Sequence, residues 1–253
     1  MKHALALRHL PVPGMHNLRD LGGYATADGR TTRWRRILRG DGVHALPPPA
    51  VDSLRAEGLG TVVDLRGAAE IAREPNPFAA HPGVVYHNHP VFDELAPATM
   101  ADARPGTADS PLMGFYRIAL EDRSAALRAI LSTIATAPPG AVLFHCTAGK
   151  DRTGIVAALV LGAAGVDRQT IVEDYALTGD LIGPLAAMLL DRTRRNGGDV
   201  ERHARLLACE PPTMAAMLDM LDRRHGGIPG YLRDIGLPAG DLSALRDRLL
   251  AGS

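Results

Sequence analysis

The stretch Ala141-Val142-Leu143-Phe144-His145-Cys146-Thr147-Ala148-Gly149-Lys150-Asp151-Arg152-Thr153-Gly154 decides the reading of this chain. Ala141 to Phe144 is a short, wholly apolar run of the kind that forms a buried parallel strand. Ile155 to Ala164 is rich in small apolar residues and predicts a helix. The loop between them, His145 to Thr153, is tight, and Gly149 permits a backbone turn that other residues resist. A strand, a tight loop and a helix in that order form half of a βαβ unit.

The flanking sequence extends the pattern. Turn chemistry at Leu21-Gly22-Gly23-Tyr24 and Ala27-Asp28-Gly29-Arg30 precedes a candidate strand over Thr31 to Leu38. Pro47 to Pro49 lead into a helix, Val51 to Glu57, that Gly58 ends. The β-branched run Thr61 to Leu65 and the segment Val84 to Val91 read as further strands. Residues 93–111, rich in Ala, Pro, Asp and Thr, read as a loop. Leu112 to Leu120 and Ser124 to Ala135 read as helices, and from Asp167 the chain is helical to its end. Its interruptions there are Gly197-Gly198, Pro211-Pro212 and Gly226-Gly227. Strands alternating with helices predict an α/β fold, a mainly parallel sheet flanked by helices, with a helical C-terminal layer. The expected organisation is one domain over residues 1–253.

The loop concentrates chemistry. Its N–H groups and the start of the following helix make an anion cradle. The same field favours the thiolate of Cys146. The Arg152 guanidinium can grip two phosphate oxygens at once. Thr147, Ala148 and Gly149 supply the cradle, and Thr153 offers a hydroxyl to the thiolate or the loop. Lys150 is one of only two lysines, with Lys2, in a chain of 28 Lys and Arg residues, and it adds positive charge for a multiply anionic substrate. A thiolate at the base of a cradle is placed to attack phosphorus, giving a phosphocysteine that water hydrolyses. That route requires no metal and no cofactor. The leaving oxygen needs a proton and the water needs a base. Asp151 is the first candidate, Asp64 the second and Asp93 the third.

The segment His145 to Gly154 resembles the phosphate loop of cysteine-dependent phosphatases. Its Gly149-Lys150-Asp151-Arg152 core is similar to that of bacterial atypical tyrosine phosphatases with dual protein and phosphoinositide activity. Asn17-Leu18-Arg19-Asp20-Leu21-Gly22-Gly23-Tyr24, Val63-Asp64-Leu65-Arg66 with Glu70, and Gly230-Tyr231-Leu232-Arg233 resemble other segments of that family, so the likeness spans nearly the whole chain. It implies Cys146 as nucleophile, Arg152 as phosphate binder, Asp151 as acid–base residue and Lys150 as a contributor to lipid or acidic substrates. Many tyrosine phosphatases carry the acid on a separate Trp-Pro-Asp loop. The sole Trp here, Trp34, is followed by Arg35 and Arg36, so that loop is absent. The implied partners are phosphorylated proteins or phosphoinositides, with peripheral contact to anionic lipid.

Other readings are weaker. A nucleotide P-loop needs Gly where Phe144 stands and Ser or Thr where Asp151 stands. Rhodanese-like sulfur transfer uses one cradle Cys, but the Lys-Asp-Arg-Thr set suits phosphate better. A phospho-binding module without turnover would not need Cys146, Asp151 and Arg152 together. Asp64 and Arg66 read equally well as an ion pair at a strand end, and Arg19 and Asp20 as supports of the Gly22-Gly23 turn. His87 and His89 share a strand face with no obvious third metal ligand. Cys209, without loop context, reads as structural. Residues 180–210 join an apolar run, Leu181 to Leu190, to Asp191-Arg192-Thr193-Arg194-Arg195. They form either a core helix or a helical lid whose removal, residues 181–208, raises activity on bulky substrates. The formal net charge is zero, which speaks against binding nucleic acid through the overall field. Two cysteines exclude a disulfide scaffold, and no apolar run is long enough to span a membrane. The N-terminal apolar run is too short for a signal-peptide core, which implies a cytoplasmic protein or one exported by another route.

Overall fold

The computed structural model describes residues 7–92 and 112–250. Five strands form one sheet: β1 (Arg19–Asp20), β2 (Ile37–Gly40), β3 (Leu59–Asp64), β4 (Val85–Asn88) and β5 (Ala141–His145). Their order across the sheet is β1-β2-β5-β3-β4, with β1 antiparallel and all other pairs parallel. The central strand is therefore β5, and its carboxyl end opens between those of β2 and β3. In open parallel sheets that is where ligands bind.

Alternate side chains divide the sheet between two cores, as the period of two in a strand requires. Ile37, Val63, Val142 and Phe144 face one side. There they meet α3 (Met113–Glu121), α4 (Ser124–Thr136), α5 (Asp151–Ala163), α6 (Arg168–Leu181) and the C-terminal helices. Leu38, Val62, Ala141 and Leu143 face the other side, against α1 (Pro48–Ala56) and Phe78. α2 (Ala68–Arg73) follows β3. The chain ends in α7 (Gly183–Arg195), α8 (Val200–Leu207), α9 (Pro211–His225), α10 (Ile228–Asp234) and α11 (Ala239–Leu249). Met214, Leu221, Leu232 and Leu245 of the last three join the first core, so the expected helical layer packs on the same sheet. Every residue of α5 except Gly162 is buried. A Cβ on Gly162 would lie 2.3 Å from Ile228 Cδ1, so only Gly lets α10 come this close.

The elements shift locally from expectation. The strand predicted over Thr31 to Leu38 starts at Ile37. The preceding residues turn instead: Arg35 adopts φ 58°, its N–H donates to Asp20 Oδ2 at 2.8 Å, and Trp34 lies over Gly22 and Gly23. The β4 strand stops at Asn88, short of Val91, because the register slips there: the His89 N–H donates to the Asp64 carbonyl at 2.9 Å, but the Val91 N–H, two residues on, reaches only the Leu65 carbonyl, at 3.4 Å. The α5 helix begins at Asp151, earlier than the predicted Ile155, so Asp151 and Arg152 occupy its first turn. The predicted loop over 93–111, with Asp93, lies outside the described residues. Among the described residues, no helix is long and apolar enough to cross a membrane.

Candidate active site

The loop Cys146 to Lys150 leaves the end of β5 and enters α5. His145, the last strand residue, is fully buried, and burial lowers its pKa, so the ring is neutral. Its Nδ1 lies 3.2 Å from the Cys146 carbonyl, which can only accept, so Nδ1 carries the proton. Nε2 then accepts from Asn76 Nδ2 at 2.9 Å. Cys146 follows, 3% exposed. Gly149 has φ 66°, and a Cβ there would lie 2.6 Å from the Gly40 carbonyl oxygen. The turn that aims the loop at the α5 N-terminus therefore needs Gly.

Arg152 projects back toward the loop. Its Nη1 donates to Glu70 Oε2 at 2.6 Å and its Nη2 to Glu70 Oε1 at 2.8 Å. Thr147 Oγ1 donates to Glu70 Oε1, and the Gly67 N–H donates to Oε2 at 3.0 Å. Burial would push the Glu70 carboxyl up, but the Arg152 and Thr147 hydrogen bonds and the Arg152 charge hold it at about 2. A guanidinium has five N–H donors. Glu70 engages the two terminal nitrogens, and Nε–H finds no acceptor among the described residues.

Asp151 opens α5. Tyr116 donates its hydroxyl to Asp151 Oδ1 at 3.1 Å, and Lys150 Nζ lies 3.2 Å from the same oxygen. Oδ2 carries no hydrogen bond among the described residues. The Tyr116 hydroxyl also lies 3.0 Å from that of Tyr175. Burial and neighbouring groups hold both phenols well above their ordinary pKa, so both keep their protons. Thr153 is fully buried, and its Oγ1 has no partner among the described residues.

Two expected site residues are placed differently. The Lys150 ammonium, expected to meet the substrate, is 1% exposed and donates to the carbonyls of Leu206 at 2.6 Å and Ala208 at 2.9 Å. It ties the loop to the end of α8, where carbonyls lack helical partners and attract a cation. Asp64 is fully buried and bidentate to Arg66, with Nε–Oδ1 at 2.9 Å and Nη2–Oδ2 at 2.7 Å. Asn76 adds a bond at 3.0 Å. Burial would raise its pKa, but the hydrogen bonds and charge of Arg66 and the Asn76 bond hold it below the ordinary carboxylate range. This arrangement matches the ion-pair reading of Asp64.

A cavity of about 430 Å³ opens above the loop. Thr147 lies on its wall with His44 and Glu74, and α7 contributes Leu185, Met188 and Arg192. Arg192 Nη1 pairs with Glu74 Oε1 at 3.0 Å and so fastens α7 across the cavity. Arg194 and Arg195 both pair with Asp191 in their own helix. Away from this region, His87 and His89 stack with ring centroids 5.8 Å apart. No cluster of three metal-ligating side chains occurs among the described residues. Cys209 is a free thiol 3.1 Å from the Tyr175 carbonyl, which fits its structural reading.

The sequence reading did not single out Tyr116, Tyr175 or the acceptors of Lys150, because no local pattern marks a residue that meets the loop only through the fold. Glu70 was visible only as part of a family pattern.

A family model described as the tyrosine phosphatase family matches residues 10–251. The triple specificity protein phosphatase PtpB of Mycobacterium tuberculosis is 32% identical, covering 97% of this chain and 100% of that protein. A tyrosine-protein phosphatase of Nostoc commune is 30% identical, covering 78% of this chain and 68% of that one. With a family match over nearly its whole length and a Cys-to-Arg loop at the carboxyl end of its central strand, this chain belongs to the tyrosine phosphatase family and is a phosphatase.

Proposed function

We propose that Cys146 is the nucleophile, Arg152 the phosphate-binding residue and Asp151 the acid and base of a phosphomonoester hydrolysis that acts on phosphotyrosine proteins. Phosphoserine, phosphothreonine and phosphoinositide substrates belong to the same proposal, supported by the breadth in the name of the mycobacterial relative. The observation that carries it is Arg152, whose terminal nitrogens are anchored on Glu70 while its Nε edge is left for phosphate beside the Cys146 loop.

In the first step the Cys146 sulfur forms a bond to phosphorus as the bond to the leaving oxygen breaks. Asp151, through Oδ2, gives that oxygen its proton. In the second step water attacks phosphorus, Asp151 takes its proton, and the S–P bond breaks to release phosphate and the thiolate. The loop N–H groups and Arg152 stabilise the charge on the phosphoryl oxygens through both steps. Thr153 is the hydroxyl available to the thiolate. Lys150 acts through position, by fixing Asp151 and the end of α8. The basic end of α7 is the surface proposed to meet anionic lipid.

Phosphate release from a phosphotyrosine peptide, a phosphoserine peptide and a phosphoinositide series, with chelator present, tests the reading. Wild type turns over at least the first, and Cys146→Ser turns over none while still binding vanadate. Full activity in Cys146→Ser overturns the assignment of the nucleophile.

A further inference from the structure

Five consecutive carbonyls of the loop are turned outward, each with a donor. Cys146 O faces His145 Nδ1 at 3.2 Å, and Thr147 O accepts from the Gly42 N–H at 3.0 Å. Ala148 O accepts from Asn17 Nδ2 at 3.1 Å. Gly149 O accepts from the same nitrogen at 3.1 Å and from Arg39 Nη2 at 2.9 Å. Lys150 O accepts from the Gly154 N–H at 2.7 Å inside the helix. A trans peptide is planar, with its N–H pointing opposite to its C=O. A carbonyl held outward at Ala148 therefore aims the Gly149 N–H inward, and one held at Gly149 aims the Lys150 N–H inward. Among the described residues, no acceptor takes the N–H groups of residues 147–150. The inward face is thus a ring of free donors.

The geometry points to Asn17 and Arg39 as positioning residues that hold the two central peptides of the loop in their phosphate-binding orientation. This rests on the proposed reading of the loop as the phosphate site. Each positioning group is itself fixed. The Asn17 side-chain oxygen accepts from Arg19 Nη1, and its backbone N–H donates to Asp41 Oδ1 at 2.9 Å. Arg39 Nη1 pairs with Asp174 Oδ2. Asp174, from α6, also takes Arg19 Nε at 3.3 Å and the Tyr24 hydroxyl at 2.9 Å. Asn17, Arg19, Arg39 and Asp174 are all buried to 2% exposure or less, so water does not compete for these bonds. Without the Asn17 amide, two carbonyls lose a donor and the peptide units can rotate. The cost falls on the transition state, whose equatorial oxygens demand the donors most.

The test uses Asn17→Ala and Asn17→Asp in the full chain. Asp keeps the shape and the acceptor for Arg19 but cannot donate, so agreement between the two separates lost donors from added charge. Vanadate inhibition, kcat and KM on a phosphotyrosine peptide, and the melting temperature are measured. Both variants should weaken vanadate about tenfold or more and lower kcat by a similar factor, with KM changed less than about threefold. Tyr24→Phe removes a bond to Asp174 and none to the loop. It should lower the melting temperature and leave vanadate inhibition within about twofold of wild type. Folded Asn17 variants with wild-type vanadate inhibition and kcat, whatever their melting temperatures, overturn the proposal. If neither folds, Arg39→Lys carries the same readout, since one ammonium cannot serve both Asp174 and the Gly149 carbonyl as the fork does. Weak vanadate binding then supports the proposal and unchanged binding overturns it. A wild type that vanadate does not inhibit would instead remove the phosphate-site reading beneath it.

Discussion

Glu70→Gln isolates the anchor of Arg152. The change keeps the side-chain shape but removes the charge that makes both bonds to the guanidinium charge-assisted. Moving a carboxyl from its ordinary 4.5 to about 2 on folding corresponds to roughly 3.5 kcal/mol at ~1.4 kcal/mol per pH unit. The Glu70 side chain is 24% exposed, so solvent screening reduces the expected loss to about 2 kcal/mol. The sign follows from linkage. A carboxyl whose folded pKa is depressed contributes stability that is complete above its unfolded pKa and disappears as pH falls through the folded one. The wild-type advantage over Glu70→Gln should therefore be flat from pH 7 to about 5 and shrink from about 4.5 toward 2. Urea denaturation of both proteins across that range measures it. Turnover should fall about tenfold to a hundredfold in kcat/KM at neutral pH, because an unanchored guanidinium no longer presents a fixed edge to phosphate. Equal stability within about 0.5 kcal/mol at pH 7, or an advantage that does not change with pH, would refute the energetic argument. Higher activity in the variant would show that Glu70 competes with phosphate for Arg152 rather than orienting it.

Asp174→Asn leaves Arg19 and Arg39 buried without a counter-charge and should destabilise the fold by about 3–5 kcal/mol in urea titration, a loss under about 1 kcal/mol being incompatible with the buried cluster. Asp151→Asn should slow turnover of phosphotyrosine peptide far more than that of nitrophenyl phosphate, whose leaving group needs no proton; equal losses would remove its role as acid. Removing residues 181–208 outright would strip Lys150 of the Leu206 and Ala208 carbonyls, so whether α7 is a lid or a core helix is better tested at its fastening. Arg192→Ala should raise kcat/KM on a folded phosphoprotein by about twofold to fivefold relative to nitrophenyl phosphate, and an unchanged ratio would make α7 a fixed wall.

The central half of the fold was legible because its signals are local. Ala141 to Phe144 carries no polar residue, and a strand with no polar face belongs in the middle of a parallel sheet. The prolines before Val51 and the Gly at 58 mark helix ends by their own backbone constraints. The strand predicted over Thr31 to Leu38 failed for a tertiary reason. Its β-favourable residues are diverted where Asp20 captures the Arg35 N–H and Trp34 packs on two glycines, contacts a periodicity does not contain. The start of α5 moved earlier because polar side chains at 151–153 hid a helical backbone whose first turn is buried by the site itself.

The same distinction divides the site. The groups proposed to touch phosphate sit within seven residues of one another, so their spacing was readable. The groups that orient them come from 17, 39, 70, 116, 174 and the end of α8, separated from the loop by up to 132 positions for the Asn17 bond to Gly149. Lys150 shows how a motif residue can mislead in this way. A lone lysine in an arginine-rich chain reads as a charge chosen for a substrate, yet its ammonium is used where a compact cation fits and a planar fork does not, against two converging carbonyls. The Arg19-Asp20 pair, within Asn17-Leu18-Arg19-Asp20, misled in the opposite direction. Read alone the pair supports a glycine turn, and Asp20 does so through the Gly22 N–H at 2.8 Å. Asn17 and Arg19, in the same four residues, face the loop and its buried counter-ion instead. A pattern at a strand edge fixes which side chains share a face, but only the parallel register of β2 on β5 puts that face beneath the phosphate loop.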